Sequence, residues 1–297
     1  MSQSAPVAPP PAPAATADGG LAALRAELDR VDDALHDLLV QRAGVVERLA
    51  ALRAKGASPL RPGREASILR RLLRRHTGGL PAQALVRIWR ELFAATTAMQ
   101  GGFTVAVCEA EPGGTFVQCA REQFGALTPL HTHRSPAHAI GEVSAGAATV
   151  AVLPMPSETE TPAQAWWTAL LQRDEPRIHI VARLPFWAAR PDGAPRAQAL
   201  VVATVPPDPT GHDRTLIGLE IGLEVSRARL AGDLAAAGFT PGQIILRRDP
   251  GDTLAYALAE LDGHIADGDP RLATLASARH PPVVLGGYAI PWDGGQA

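Results

Sequence analysis

Between Leu21 and Leu52 the apolar residues step by three and four through Leu24, Leu28, Val31, Leu35, Leu38, Val45 and Leu49, the spacing of one helical face. The stripe breaks at one position, and Arg42 fills it. A guanidinium cannot shed its charge on burial, so an arginine in an apolar seam needs an anion beside it: an acidic partner, or a ligand carrying carboxylate or phosphate. A polar residue that only fixes helix register is the competing reading. Asp18 stands before Gly19 and Gly20 as a candidate cap, and Gly56 and Pro59 end the pattern. The spacing therefore predicts a helix over 21–55, roughly 50 Å long. A helical domain of about eighty residues is too small to cover that length, so the stripe is expected to pack against a second chain.

The chain has 297 residues, 46% of them hydrophobic and 20% charged, which suits a globular protein of two or three domains. A formal net charge of −2 argues against a nucleic-acid or membrane-surface binder, since those carry a basic excess, here confined to 61–76. Cys108 and Cys119 lie eleven apart, without the spacing of a zinc site or a disulfide framework. Neither a disulfide scaffold nor a structural metal is indicated, and a reducing cytoplasm fits best. Residues 1–20 are Ala/Pro-rich and lack the basic and apolar regions of a secretion signal, so they read as a disordered leader. No apolar run is long enough to span a membrane.

Two further helices are expected, from Pro62 to His76 and from Pro81 to about Gln100, completing a three-helix domain over 21–101. After Gly101 and Gly102 the pattern becomes α/β over 102–209, with strands at 103–107, 149–153, 177–182 and 199–205. Helices are expected near 115–124, 136–145 and 162–172. A joint at Pro206, Pro207 and Pro209 leads into residues 210–297, whose strand, helix, strand, strand, helix, strand order is the ferredoxin-like α+β one.

Arg53 follows Arg42 by three helical turns and shares its face, whereas Arg25 points about 100° away, toward a different neighbour. The second helix contributes Arg64 and Glu65 in its first turn, and the third contributes Thr96 and Gln100 at i and i+4. The set holds no nucleophile and no metal ligands. It suits a reaction whose transition state mainly redistributes negative charge, with arginines folding a dianion and donors waiting where an oxygen gains charge as its bond breaks.

Ala23-Leu24-Arg25, Gln41-Arg42, Arg53, Arg64-Glu65 and Ile88-Trp89-Arg90-Glu91 with Thr96 and Gln100 resemble the all-helical chorismate mutases. The resemblance implies an intertwined homodimer through the long first helix, and conversion of chorismate to prephenate without a cofactor. It further implies that Arg25 reaches into the partner's site, that Arg42 binds a substrate carboxylate and that Arg64 helps position it. Glu65 would accept the ring hydroxyl, Arg53 and Gln100 would donate to the ether oxygen, and Thr96 stands where a serine is common. Arg53 replaces a usual lysine, and Arg61 replaces a frequent acidic residue.

Glu111-Pro112-Gly113-Gly114-Thr115-Phe116 is a glycine turn entering a helix, where backbone N–H groups can meet an anion. With Val150 to Pro154, Pro209 to Thr215, and the ending Leu261-Asp262-Gly263-His264 through Leu285-Gly286-Gly287-Tyr288, it resembles a prephenate dehydratase domain joined to an ACT regulatory domain. The implied order is that of the bifunctional enzyme of phenylalanine synthesis. The dehydratase-like part is truncated, with no room for a second lobe between Trp187 and Arg196. Where the family carries its catalytic Thr-Arg-Phe, this chain reads Ala197-Gln198-Ala199, so loss of dehydration is expected. The ACT motifs for phenylalanine are eroded at 222–225 and 247–250, which counts against an aromatic amino acid effector.

His131, His133 and His138 read as loop residues rather than metal ligands. Trp166 and Trp167 read as core, Arg70, Arg71, Arg74 and Arg75 as solvated surface, and Asp213 and Glu220 as residues without partners. The leading expectation is a chorismate mutase with an inactive dehydratase-like part. A working bifunctional enzyme and a non-catalytic sensor dimer are the alternatives.

Overall fold

The computed structural model describes residues 15–52, 58–111, 113–172, 175–194 and 196–294. They fall into two compact units, Met1–Lys55 and Gly56–Ala297. In the first, a single helix is described, α1 (Ala15–Ala51). Residues 15–20, expected as leader, are helical, and Asp18 lies inside the helix rather than capping it. Arg53 and the expected helix end at 53–55 lie outside the described residues. The apolar stripe is exposed in this chain: Leu24 is 60% accessible, Leu28 63% and Leu38 60%.

The second unit opens with an antiparallel hairpin of α2 (Pro62–Arg75) and α3 (Ala82–Ala98). Pro62 starts α2 well because its missing N–H is one that a first turn leaves unbonded anyway. Ala66, Leu69 and Leu73 on α2 pack with Val86 and Phe93 on α3, and with Phe186 from farther along the chain. One face of the hairpin is therefore apolar and rests on the α/β body.

That body is built on one sheet of nine strands: β1 (Val105–Cys108), β2 (Leu130–His133), β3 (Val150–Pro154), β4 (His179–Leu184), β5 (Ala199–Ala203), β6 (Asp213–Gly222), β7 (Pro241–Arg247), β8 (Leu254–Asp262) and β9 (Val283–Ala289). Their order is β2-β1-β3-β5-β4-β9-β6-β8-β7. Strands β1, β2 and β3 are parallel, and β5 runs antiparallel to both β3 and β4. The helices α4 (Thr115–Phe124) and α5 (Pro136–Ser144) cover opposite faces of β1. The final four strands take the ferredoxin-like order β9-β6-β8-β7, backed by α6 (Arg227–Ala236).

The two parts join edge to edge, β4 pairing parallel with β9 at Ile180 and Gly286. Gly286 has φ 129°, and a Cβ there would run into the Ile180 backbone, so only glycine lets the strands close. A single hydrophobic core runs beneath the join, from Ala106 and Leu153 through Trp167 and Ile180 to Leu216, Leu258 and Leu285. Trp166 and Trp167 are core residues, as expected, lying on a 3-10 segment (Trp166–Gln172) instead of a full helix. The last expected helix is likewise a short 3-10 turn, Pro270–Thr274.

Three expectations are corrected by contacts distant in sequence. His131 and His133 lie on β2 rather than in a loop, both facing Glu142 of α5, and His138 lies on α5. Arg70 is 6% exposed instead of solvated, because Thr210, His212 and Ile290 receive its guanidinium. Asp213 is buried and accepts from Thr210 N, Thr210 Oγ1 and Gly211 N, while Glu220 pairs with His280.

Candidate active site

The expected site residues divide between the two units. Arg25 and Arg42 stand on α1, Arg25 exposed and Arg42 half-buried, whereas Arg53 is not among the described residues. Arg64, Glu65, Thr96 and Gln100 belong to the hairpin, whose course brings Glu65 in the first turn of α2 against Arg90 at the middle of α3.

Within the hairpin each polar group has a distinct setting. Arg64 is exposed at the start of α2. Glu65, one position on, turns inward, and its Oε2 accepts from Arg90 Nη1 at 2.8 Å. A carboxylate in the first turn is also favoured by the helix dipole. Arg90 belongs to the run Ile88-Trp89-Arg90-Glu91 on α3. It is 4% exposed, and its guanidinium stands 5.2 Å from the centre of the Phe186 ring. Burial lowers its pKa, and the charge and hydrogen bond of Glu65 oppose that shift. Thr96 donates to Leu92 O at 2.7 Å, so its hydroxyl proton serves the helix backbone. Gln100 Nε2 donates to Thr96 O at 2.7 Å, and Gln100 Oε1 is buried without a hydrogen-bond partner. An oxygen left so carries a desolvation cost of about 1–3 kcal/mol. Arg61, where the resemblance leads one to expect an acid, faces Asp208 at 3.9 Å.

The glycine turn of the α/β body is already satisfied from within. Glu109, just after β1, sends Oε2 to Phe116 N at 2.8 Å and Val117 N at 3.1 Å, capping α4 with the chain's own carboxylate. The open crevice beside it, about 650 Å³, is lined by Glu109, Glu111, His133 and Arg134. Ala197, where the resemblance would place a catalytic threonine, lies just ahead of β5, and its carbonyl accepts from Cys119 Sγ at 3.6 Å. Cys119 and Cys108 are both unpaired and buried, which pushes each thiol up to about 11. In the ferredoxin-like part, Arg248 Nη2 reaches Val225 O at 2.6 Å, joining the turn after β6 to the one after β7. No group of acidic, His and Cys side chains among the described residues could hold a metal ion.

Residues 24–101 match the chorismate mutase type II family. The bifunctional chorismate mutase/prephenate dehydratase of Pseudomonas aeruginosa is 29% identical over 173 residues, 54% of this chain and 47% of that one. That alignment takes in more of the chain than the helical stretch alone. The chain spans about half the length, or less, of the curated relatives it matches. Among solved structures, one described as GqqA, a novel type of quorum quenching acylase, has a TM-score of 0.49 at 17% identity, covering 64% of this chain and 96% of that one. The prephenate dehydratase from Streptococcus mutans has a TM-score of 0.46 at 14% identity, covering 64% and 98%. Among the described residues, no helix is long and apolar enough to cross a membrane.

Proposed function

We propose that this chain is a chorismate mutase, rearranging chorismate to prephenate in aromatic amino acid synthesis, and that it works as a homodimer through α1. The observation that carries the proposal is the coincidence of the family match at 24–101 with a cationic interruption, Arg42, in an otherwise apolar stripe. The exposure of that stripe in the single chain supports a second copy as its cover. In this reading Arg42 and Arg64 hold the substrate's carboxylates and Arg25 enters from the partner's helix. Glu65 accepts the ring hydroxyl. Arg53 and Gln100 donate to the ether oxygen as it gains charge, with Thr96 lining the site. The catalysis is one of positioning and electrostatic complementarity, so the residues themselves suffice without a cofactor. Two unpaired cysteines suit a reducing cytoplasm.

The dehydratase-like part is proposed to be inactive. Ala197-Gln198-Ala199 has no hydroxyl to catalyse with, and Glu109 fills the helix terminus that an anionic substrate would otherwise use. The bridge from Arg248 to Val225 supports the absence of a phenylalanine response. The test is to incubate the purified protein with chorismate and resolve prephenate from phenylpyruvate by chromatography under non-acidic conditions. Prephenate alone is the expected product, falling on the order of 100-fold or more in rate in Arg42→Ala. Phenylpyruvate would instead establish a bifunctional enzyme, and no product would leave a binding dimer.

A further inference from the structure

We propose that Arg90 is a positioning residue for the rearrangement, holding Glu65 as an oriented carboxylate and transmitting to it the rigidity of the α/β body through Phe186. This rests on the mutase reading of Glu65. A carboxylate that is to accept the substrate's ring hydroxyl must stay ionised in a partly buried place and keep one rotamer. On α2 alone it would do neither, since a first-turn side chain has several rotamers and loses hydration as the site closes.

Arg90 answers both needs. Its Nη1 lies 2.8 Å from Glu65 Oε2, the side chains being 5% and 17% exposed, so the pair is little screened by water. The guanidinium is itself held from the opposite side, over the ring of Phe186, which follows β4. Phe186 is 6% exposed, and its carbonyl accepts from Trp292 N at 2.6 Å, fixing it to the segment after β9. A chain of buried contacts thus runs from the sheet through Phe186 and Arg90 to Glu65. A salt bridge serving only to stitch α2 to α3 would need no such support, since Leu69, Leu73, Val86 and Phe93 already join the two helices. The α/β body gains a role in the mutase chemistry even without a reaction of its own.

The experiment measures kcat and KM for chorismate in the full-length wild type, Arg90→Met, Arg90→Lys, Glu65→Gln and Arg90→Met/Glu65→Gln, with a thermal melt of each. Arg90→Met is expected to lower kcat about 10- to 100-fold with KM changed by less than about threefold, since the lost interaction orients rather than binds. Arg90→Lys, keeping the charge without the fork, is expected to recover part of the loss. The decisive figure is the double variant, expected to be no slower than Glu65→Gln alone, because a positioning residue has nothing left to position. It also removes both buried charges, so it reads the coupling even if Arg90→Met melts early. Wild-type kcat in Arg90→Met, or losses that multiply in the double variant, would overturn the inference while leaving the mutase reading intact. A wild-type protein that forms no prephenate would overturn both.

Discussion

Two buried arginines of the hairpin show how differently one residue type is fixed. Arg90 answers a charge, whereas Arg70 answers mainly dipoles: it donates to Thr210 Oγ1 at 2.9 Å, His212 O at 3.1 Å and Ile290 O at 2.6 Å. Burial lowers its pKa, and Asp213 nearby opposes the shift, so the guanidinium is kept in place by three acceptors and one buried carboxylate. Arg70→Met removes the donors and strands those acceptors, at an expected cost of about 2–4 kcal/mol. A urea unfolding midpoint equal to wild type would show that water replaces the arginine at no cost. Lysine is not expected to rescue, because one ammonium cannot span acceptors that two guanidinium nitrogens reach. The sequence hid this residue: in the run Arg70, Arg71, Arg74, Arg75 it looks like its neighbours, and the contacts that bury it lie 140 and more positions away. Arg42 stands out in the sequence for the opposite reason, since the stripe around it supplies a local apolar background.

At the scale of elements, what could be read was whatever carries its own period. Helices α2 and α3 fall within two residues of their expected limits because proline and glycine bound them and a 3.6-residue pattern fills them. Strand β2 could not be read, since Leu-His-Thr-His offers no apolar alternation. It is a sheet edge, held by parallel pairing to β1 and by Glu142 taking His131 at 3.0 Å and His133 at 3.3 Å. The 3-10 segment at 166–172 looked helical because its tryptophans and leucines have the right composition, but not the length. Helix α1 is the element with most left to explain. Thirty-seven residues with their apolar stripe open to water are not stable as a lone helix. Leu28→Glu with Leu35→Glu puts charges into the middle of that stripe and is expected to turn a dimer into a monomer by light scattering. If Arg25 serves the partner's site, mutase activity disappears at the same time. A monomeric wild type would refute the dimer, and a dimeric double variant would place its interface elsewhere.

Over the whole molecule, the sequence leads one to expect a boundary near Pro206 to Pro209, between an α/β and a ferredoxin-like succession. What it could not express is that both successions contribute to one sheet. The join depends on the parallel approach of β4 and β9, more than a hundred residues apart, and on a backbone contact that leaves no side chain to recognise. With only 185–198 between β4 and β5, those strands close on each other and on β3, so β4 is left free to receive β9 on its other side. The core beneath follows, placing Trp167 and Ile180 in one cluster with Leu216 and Leu258. Residues 56–297 are therefore expected to unfold as one cooperative body rather than as two modules. Gly286→Ala tests this directly. Its positive φ and the Ile180 backbone give the new methyl no place, so the cost is expected to reach about 3 kcal/mol or more. If the sheet is one body, circular dichroism and tryptophan fluorescence will move together to a lower midpoint in a single transition. If the ferredoxin-like part folds alone, the variant will split the melt in two, with one half remaining where the wild type had it, and the joined sheet will have been an association of independent modules.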